Sequence, residues 1–287
     1  MTPAQIVGLV LLGLTCLTMF GPGQAGLAQF EELSDPARLV QLLRPQLEDP
    51  PRLLPPDSQA VFRRFRDRSL TSPAALTELC VVEAREASLH VVDVRRAGRA
   101  NETYQRTVPR DALAALNGGF FDRGGPGRLV PVGLVRAGGS TSGKLKRWST
   151  GGVVFQGRGG VQLTPSGEYD PSASDNAIES RPMLINNGMN RWNRQRTGWA
   201  NRAAVGISYE GTVVLAVVHQ PGGGAATLVE FARLLENYRT ADGGKLERAL
   251  GVDGGPAAHL YVPTLDLHCG DEQLSYVHNL MYLRRHE

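Results

Sequence analysis

The chain has 287 residues, with 31 Lys and Arg against 28 Asp and Glu, a net charge of +3. That balance argues against a nucleic-acid binder, which carries a basic stripe and a larger surplus. Hydrophobic residues at 41% together with 34 Gly exclude disorder throughout, and 6% aromatics beside 18 Pro favour short strands and many turns over a helical bundle.

No charged side chain precedes Glu31, and Ile6 to Phe20 is apolar apart from Gly13, Thr15, Cys16 and Thr18. The run is shorter than the roughly 20 residues of a membrane-spanning helix and ends in Gly21-Pro22-Gly23, which suits the apolar core of a signal peptide. Residues 1–28 are therefore expected to be a signal peptide or an uncleaved N-terminal anchor, with Gly26 and Ala28 ahead of a cleavage before Gln29. This segment would engage the membrane export machinery and make the protein periplasmic or secreted.

Residues 29–74 read as a linker or N-terminal extension rich in Pro and Arg, with Arg44-Pro45, Asp49-Pro50-Pro51 and Leu54-Pro55-Pro56 excluding long helices. The cluster Arg63-Arg64-Phe65-Arg66-Asp67-Arg68 reads as a solvated face. From residue 75 to 287 the pattern is that of one α+β domain with a β core. Strands are expected at 79–84, 89–94, 113–116, 130–135, 153–155, 183–185, 203–207, 213–218, 249–252, 259–262 and 276–283. One helix is well signalled, because Thr227 and Glu230 form a capping box and Leu228, Phe231, Ala232, Leu235 and Tyr238 recur at helical spacing.

With Cys16 in the leader, Cys80 and Cys269 remain in a chain expected to enter an oxidising compartment, so one disulfide is arithmetically available; two buried thiols are the alternative. The stretch Gly138-Gly139-Ser140-Thr141-Ser142-Gly143-Lys144 has the spacing of a phosphate-binding loop, but Leu145 lacks the hydroxyl that magnesium needs, so a surface hairpin is expected. The six His include no His-x-x-x-His pair, there is no Cys-x-x-Cys, and no Gly-x-Ser-x-Gly elbow occurs. No cofactor or metal is expected on this basis.

Four polar, Gly-rich strand ends remain: Asn117-Gly118-Gly119-Phe120-Phe121-Asp122, Ser180-Arg181-Pro182 through Asn187-Gly188, Asn201-Arg202-Ala203-Ala204-Val205-Gly206, and Val252-Asp253-Gly254-Gly255-Pro256. Loops of this kind are where amides, guanidinium groups and carboxylates can converge on one pocket. A fifth feature is His219-Gln220-Pro221-Gly222-Gly223-Gly224, which leads into the capped helix and its positive end, although Glu230 already uses part of that potential.

In this order and spacing the motifs resemble the phosphodiester glycosidase family over about residues 78–284. The resemblance implies an α+β domain with a mixed, mostly antiparallel β core and a few helices. It also implies hydrolysis of a sugar-1-phosphodiester on the sugar side, releasing a free sugar and a phosphomonoester. Carried over by position, Asp253, Asp122 and Asn117 would be catalytic. Arg202, Arg181, His219, Gly118, Gly119, Gly254 and Gly255 would bind substrate and phosphate. The substrate would be a phosphodiester-linked glycan of the envelope or extracellular space, or a nucleotide-sugar-like small molecule. One departure stands out: the family pattern continues into hydroxyl residues where this chain has Ala257 and Ala258. That departure favours a rival reading, a non-catalytic glycan-binding or exopolysaccharide-assembly protein, unless His259 or Ser208 substitutes. A third reading is a metal-dependent phosphodiesterase with Asp122 and Asp253 as ligands.

Overall fold

Continuous apolar runs such as Leu79 to Val82 and Val213 to Val218 can only be satisfied by strands covered on both faces, since a half-exposed strand alternates. The computed structural model, which describes residues 37–54, 59–67, 76–124, 129–192, 198–270 and 276–286, builds them that way. An eight-stranded sheet runs in the order Arg52–Leu53, Ala60–Asp67, Thr77–Ala84, Val213–His219, Arg202–Ser208, Leu246–Gly251, Met183–Asn186 and Met189–Asn190. A five-stranded sheet holds Leu267–Gly270, His259–Val262, Ala114–Asn117, Tyr276–Arg285 and Ala87–Arg99. A second five-stranded sheet holds Gly160–Pro165, Gly152–Gly157, Ala177–Ser180, Val135–Ala137 and Ser140–Ser142. Phe121–Arg123 and Leu129–Pro131 form a separate hairpin. Among the described residues every strand pairing is antiparallel.

The two faces of the eight-stranded sheet have different coverings. On one face Val82, Val205, Leu215 and Val217 meet Leu116, Leu260 and Met281 of the first five-stranded sheet and Val154 and Ile178 of the second. On the other face Val81, Ala204, Ala216 and Val218 meet Phe231, Ala232 and Leu235 of the helix Leu228–Asn237. That helix carries the expected capping box, with the Thr227 hydroxyl accepting from Glu230 N and the Glu230 carboxylate accepting from Thr227 N. A disulfide joins Cys80 to Cys269, tying the eight-stranded sheet to the five-stranded sheet beside it.

The described part of residues 29–74 is not a free linker. Residues 60–67 pair along the whole strand Thr77–Ala84, and the short helix Arg38–Leu43 packs Leu39 and Leu42 under the helix Leu228–Asn237. Phe65, Leu39 and Leu42 are fully buried, each contributing about 1.5–3 kcal/mol by leaving water. The arginine cluster is also more than a solvated face, since Arg63 donates to Glu48, Glu83 and Tyr238. Proline density excluded long helices, but it says nothing against an edge strand.

Two further local differences have simple causes. The expected strand at 130–135 is split into Leu129–Pro131 and Val135–Ala137, because Gly133 packs against Trp148 and Glu179 where a side chain would clash. The helix Ala100–Thr107 was not foreseen, since its buried residues Ala100, Thr103 and Tyr104 include only two apolar ones and give little apolar periodicity. Residues 138–139 form the expected hairpin turn, both with positive φ. The leader, including Cys16, lies outside the described residues.

Candidate active site

The strand Ala114–Asn117 lies between His259–Val262 and Tyr276–Arg285, so its C-terminal end is fixed from both sides. Asn117 is 1% exposed, and its side chain is fully engaged. Its Nδ2 donates to the Asp253 carbonyl at 2.7 Å, and its Oδ1 accepts from His259 N at 3.0 Å. Asn117 therefore holds two other segments by their backbones, and we assign it a positioning role. Next to it, Gly118 N donates to the Asn279 carbonyl and Gly119 N donates to Asn279 Oδ1, both at 2.9 Å. A Cβ on Gly118 would sit 1.7 Å from Asn279 Oδ1, so the close approach requires glycine there.

Asp253 leaves the strand Leu246–Gly251 and is locked to the same loop, its N–H donating to the Gly118 carbonyl at 3.0 Å. The two loops thus belong to different sheets and are stitched together by two hydrogen bonds through Asn117 and Gly118, while Asn117 also holds His259 of the neighbouring strand. Burial pushes the Asp253 carboxyl up to about 7, and a hydrogen bond from the Gly254 backbone only partly opposes this. A group tuned in this way is poised to give or take a proton near neutral pH. Gly255 has φ of +58° and donates its N–H to the Asn201 carbonyl at 2.7 Å, which brings the turn after Asp253 against the start of the Arg202 strand.

Arg202 projects from the face of the sheet that carries the helix Leu228–Asn237. Its Nε donates to the Ala226 carbonyl at 3.2 Å and one terminal nitrogen donates to the Gly198 carbonyl at 2.5 Å. Among the described residues it makes no ion pair, although burial lowers its pKa from the ordinary value while the charge of Glu230 raises it. The neighbouring carboxylate, Glu230, is taken instead by Arg38 at 2.7 Å and by the helix cap. Arg202 and Arg181 both line a cavity of about 310 Å³, together with Phe120, Trp192, Phe231, Leu228 and Gly254. Arg181 lies over the Trp148 ring at 5.0 Å. No carboxylate is among the described lining residues, so the cavity presents two guanidinium groups and aromatic surface to an anion that carries an apolar or sugar face. A larger depression of about 810 Å³ around Arg85, Glu86, Glu210 and His286 contains none of the expected site residues.

The structure thus brings together Asn117, Gly118, Gly119, Asp253, Gly254, Gly255 and Arg202, and Arg181 lines the same cavity as Gly254 and Arg202. It does not bring in two others. Asp122 lies exposed on the hairpin after Phe121, its carboxylate accepting from Arg123 N. His219 extends on the opposite face of the sheet from Arg202, where it meets Glu78 at 3.0 Å and lies beside the disulfide. Neither Asp122 nor Asp253 belongs to the close group of ligating side chains found among the described residues. At the helix end after Gly222-Gly223-Gly224, the buried Glu230 carboxylate occupies the positive end that an anion would use. Of the proposed stand-ins for the missing hydroxyls, His259 is fully buried against Tyr104 and Ser208 serves a distant turn by accepting from Glu210 N and Thr212 N.

Sequence reading missed Asn279 and His278. Asn279 clasps both glycines of the first loop, and His278 stands behind it, its ring 4.1 Å from that of Phe121. Burial holds the His278 imidazole down to about 4, so it is neutral, and its Nε2 accepts from Asn279 Nδ2. Both sit inside an apolar strand, and nothing local marks them apart from being polar within it.

The phosphodiester glycosidase family model matches residues 110–283. Among solved structures, the catalytic domain of zebrafish N-acetylglucosamine-1-phosphodiester α-N-acetylglucosaminidase, auto-inhibited by its pro-peptide, is similar with a TM-score of 0.58 and 15% identity, covering 88% of this chain and 94% of that one. A Synechocystis protein is similar with a TM-score of 0.51 and 16% identity over 78% of this chain; the match spans 62% of that protein. A Burkholderia pseudomallei protein is similar with a TM-score of 0.51 and 12% identity, covering 75% of each chain. No curated protein matches the sequence.

Proposed function

Because the chain belongs to the phosphodiester glycosidase family, we propose that it is a hydrolase that cleaves a sugar-1-phosphodiester on the sugar side. The observation that supports this reading is a carboxyl poised near neutral pH, Asp253, whose chain neighbours Val252 and Gly254 line an anion-suited cavity together with Arg202. In the reaction, water adds to the anomeric carbon, the bond from that carbon to the phosphate oxygen breaks, and both electrons stay with the phosphomonoester. Arg202 binds the phosphate oxygens and takes up the charge that develops as they leave. Asp253 accepts the proton from the attacking water in its ionised form and stabilises the cationic sugar ring. With a phosphomonoester as leaving group, the guanidinium substitutes for a strong general acid, so Asp122 is not needed at the centre.

The substrate would be a phosphodiester-linked glycan or a nucleotide-sugar-like molecule, the aromatic wall of Phe120 and Trp192 facing its sugar. An exported, envelope or extracellular setting is proposed from the uncharged apolar run at 6–20 alone. Incubation with UDP-N-acetylglucosamine and with a synthetic sugar-1-phosphodiester, followed by mass spectrometry, tests the reaction. Free sugar together with an intact phosphomonoester is expected. In oxygen-18 water the label should enter the sugar; label in the phosphate would mean cleavage of the phosphorus–oxygen bond and overturn the assignment.

A further inference from the structure

On the opposite face of the sheet from Arg202, three buried side chains converge. Cys80 on the strand Thr77–Ala84, His219 on Val213–His219 and Cys269 on Leu267–Gly270 place one ligating atom each within 4.8 Å of one another. They come from three strands of two sheets, and the active site uses none of them. We propose that in the reduced chain these residues form a zinc site, so that the same seam is closed by a disulfide in one redox state and by a thiolate-bound metal in the other.

Two thiolates and an imidazole are a zinc ligand set, and three protein ligands leave a fourth tetrahedral position for water. The surroundings suit a metal as well as a disulfide. Glu78 meets His219 Nε2 at 3.0 Å, leaving Nδ1 for coordination and supplying the carboxylate that orients metal-bound imidazoles. Arg64 places a terminal nitrogen 3.9 Å from Cys269 Sγ, and its buried Nε has no hydrogen-bond partner among the described residues. Against a disulfide, that guanidinium faces a neutral sulfur; against a thiolate, it faces an anion. Zinc with two thiolates is neutral, and Arg64 and Glu78 cancel one another, so the loaded cluster carries no net charge.

The interconversion balances. A water-soluble phosphine and one water convert the disulfide to two thiols and become the phosphine oxide. Zinc then binds both sulfurs as two protons leave. The disulfide cysteines are almost fully buried, so the exchange needs strong reductant and time.

The test uses full-length protein reduced by phosphine under anaerobic conditions, with cobalt(II) as the probe. One equivalent should bind with thiolate charge-transfer absorption and tetrahedral ligand-field bands, and zinc should displace it. Cys80→Ser should abolish the signal. His219→Ala should weaken cobalt affinity at least tenfold, and Glu78→Gln should weaken it by roughly 10–100-fold. No thiolate absorption in reduced, folded protein would overturn the proposal, as would unchanged affinity in His219→Ala. If reduction unfolds the chain, refolding with zinc should recover the fold; a yield indifferent to zinc would equally reject the site.

Discussion

Asp253→Asn exchanges a carboxyl that burial holds up to about 7 for a neutral amide of similar shape. In the unfolded chain that carboxyl returns to its ordinary value of 3.8. Between these two values the folded protein holds a proton that the unfolded chain has released. Stability contributed by this group is therefore full below about pH 4, falls as pH rises through the window, and levels off above about pH 7. At about 1.4 kcal/mol per pH unit, the interval corresponds to a loss on the order of 4 kcal/mol. The amide does not ionise and avoids it. Denaturant unfolding of both proteins from about pH 4 to about pH 8 should show their difference moving toward the variant by up to about 4 kcal/mol. Over the same range the variant should lose at least about 100-fold in turnover of a sugar-1-phosphodiester, as expected on removing a proton-transferring group. Parallel stability curves would refute the buried carboxyl, and unchanged turnover would remove it from the reaction.

Arg202→Lys keeps the charge but loses the planar fork held by Ala226 and Gly198, so kcat/KM should fall about tenfold or more, and equal kinetics would point to another anchor. Arg38→Ala leaves the Glu230 carboxylate buried without its guanidinium. It should cost about 3–5 kcal/mol by denaturant unfolding and raise KM as Glu230 turns toward Arg202; an unchanged KM would show that the two arginines are independent. Gly118→Ala drives a methyl into Asn279 and should destabilise by about 1–3 kcal/mol or prevent folding, whereas a wild-type melting curve would mean that the loop gives way freely. Cys80→Ala with Cys269→Ala opens a loop with a sequence separation of 189 and should lower stability by about 3–5 kcal/mol, read as a melting temperature lower by about 10 °C.

Much of the fold could be read because it rests on local signals. The apolar runs at 79–84 and 213–218 have no other stable use than a sheet buried on both faces, and Thr227 with Glu230 marks its helix by a three-residue relation. Of the linker and extension readings of 29–74, a linker does not describe Ala60–Asp67, which pairs with the next strand Thr77–Ala84 while Arg63 is satisfied by Glu48 and Glu83; proline density carries no signal for that pairing. The loop motifs were legible because glycine pairs beside Asn and Asp are an unusual local demand. Which atoms those loops offer was not. Asn117 looked like a catalytic amide and is consumed by two backbones, while Asn279, which shapes the loop, is hidden in an apolar strand. The resemblance put His219 with Arg202 among the phosphate-binding residues, but Arg202 pairs across the sheet with Val218, and strand alternation sends the next side chain, His219, to the opposite face.

The alanines that depart from the family pattern gain a physical setting from the structure. Ala258 is fully buried and packs in the core between the sheets, and Ala257 is 5% exposed in the turn after Gly254. Neither lines the cavity among the described residues, so a hydroxyl at 258 would face apolar neighbours rather than substrate. Burial lowers the Arg202 pKa and Glu230 lies close enough to oppose that, yet both Glu230 carboxylate oxygens are taken, one by Arg38 and one by the helix cap. The segment that looked like a tether thus supplies the cation that keeps Glu230 from neutralising Arg202. Under the proposed reaction, it is the Arg202 guanidinium, left uncancelled because Glu230 is held by Arg38 and the helix cap, that would attract the phosphodiester anion.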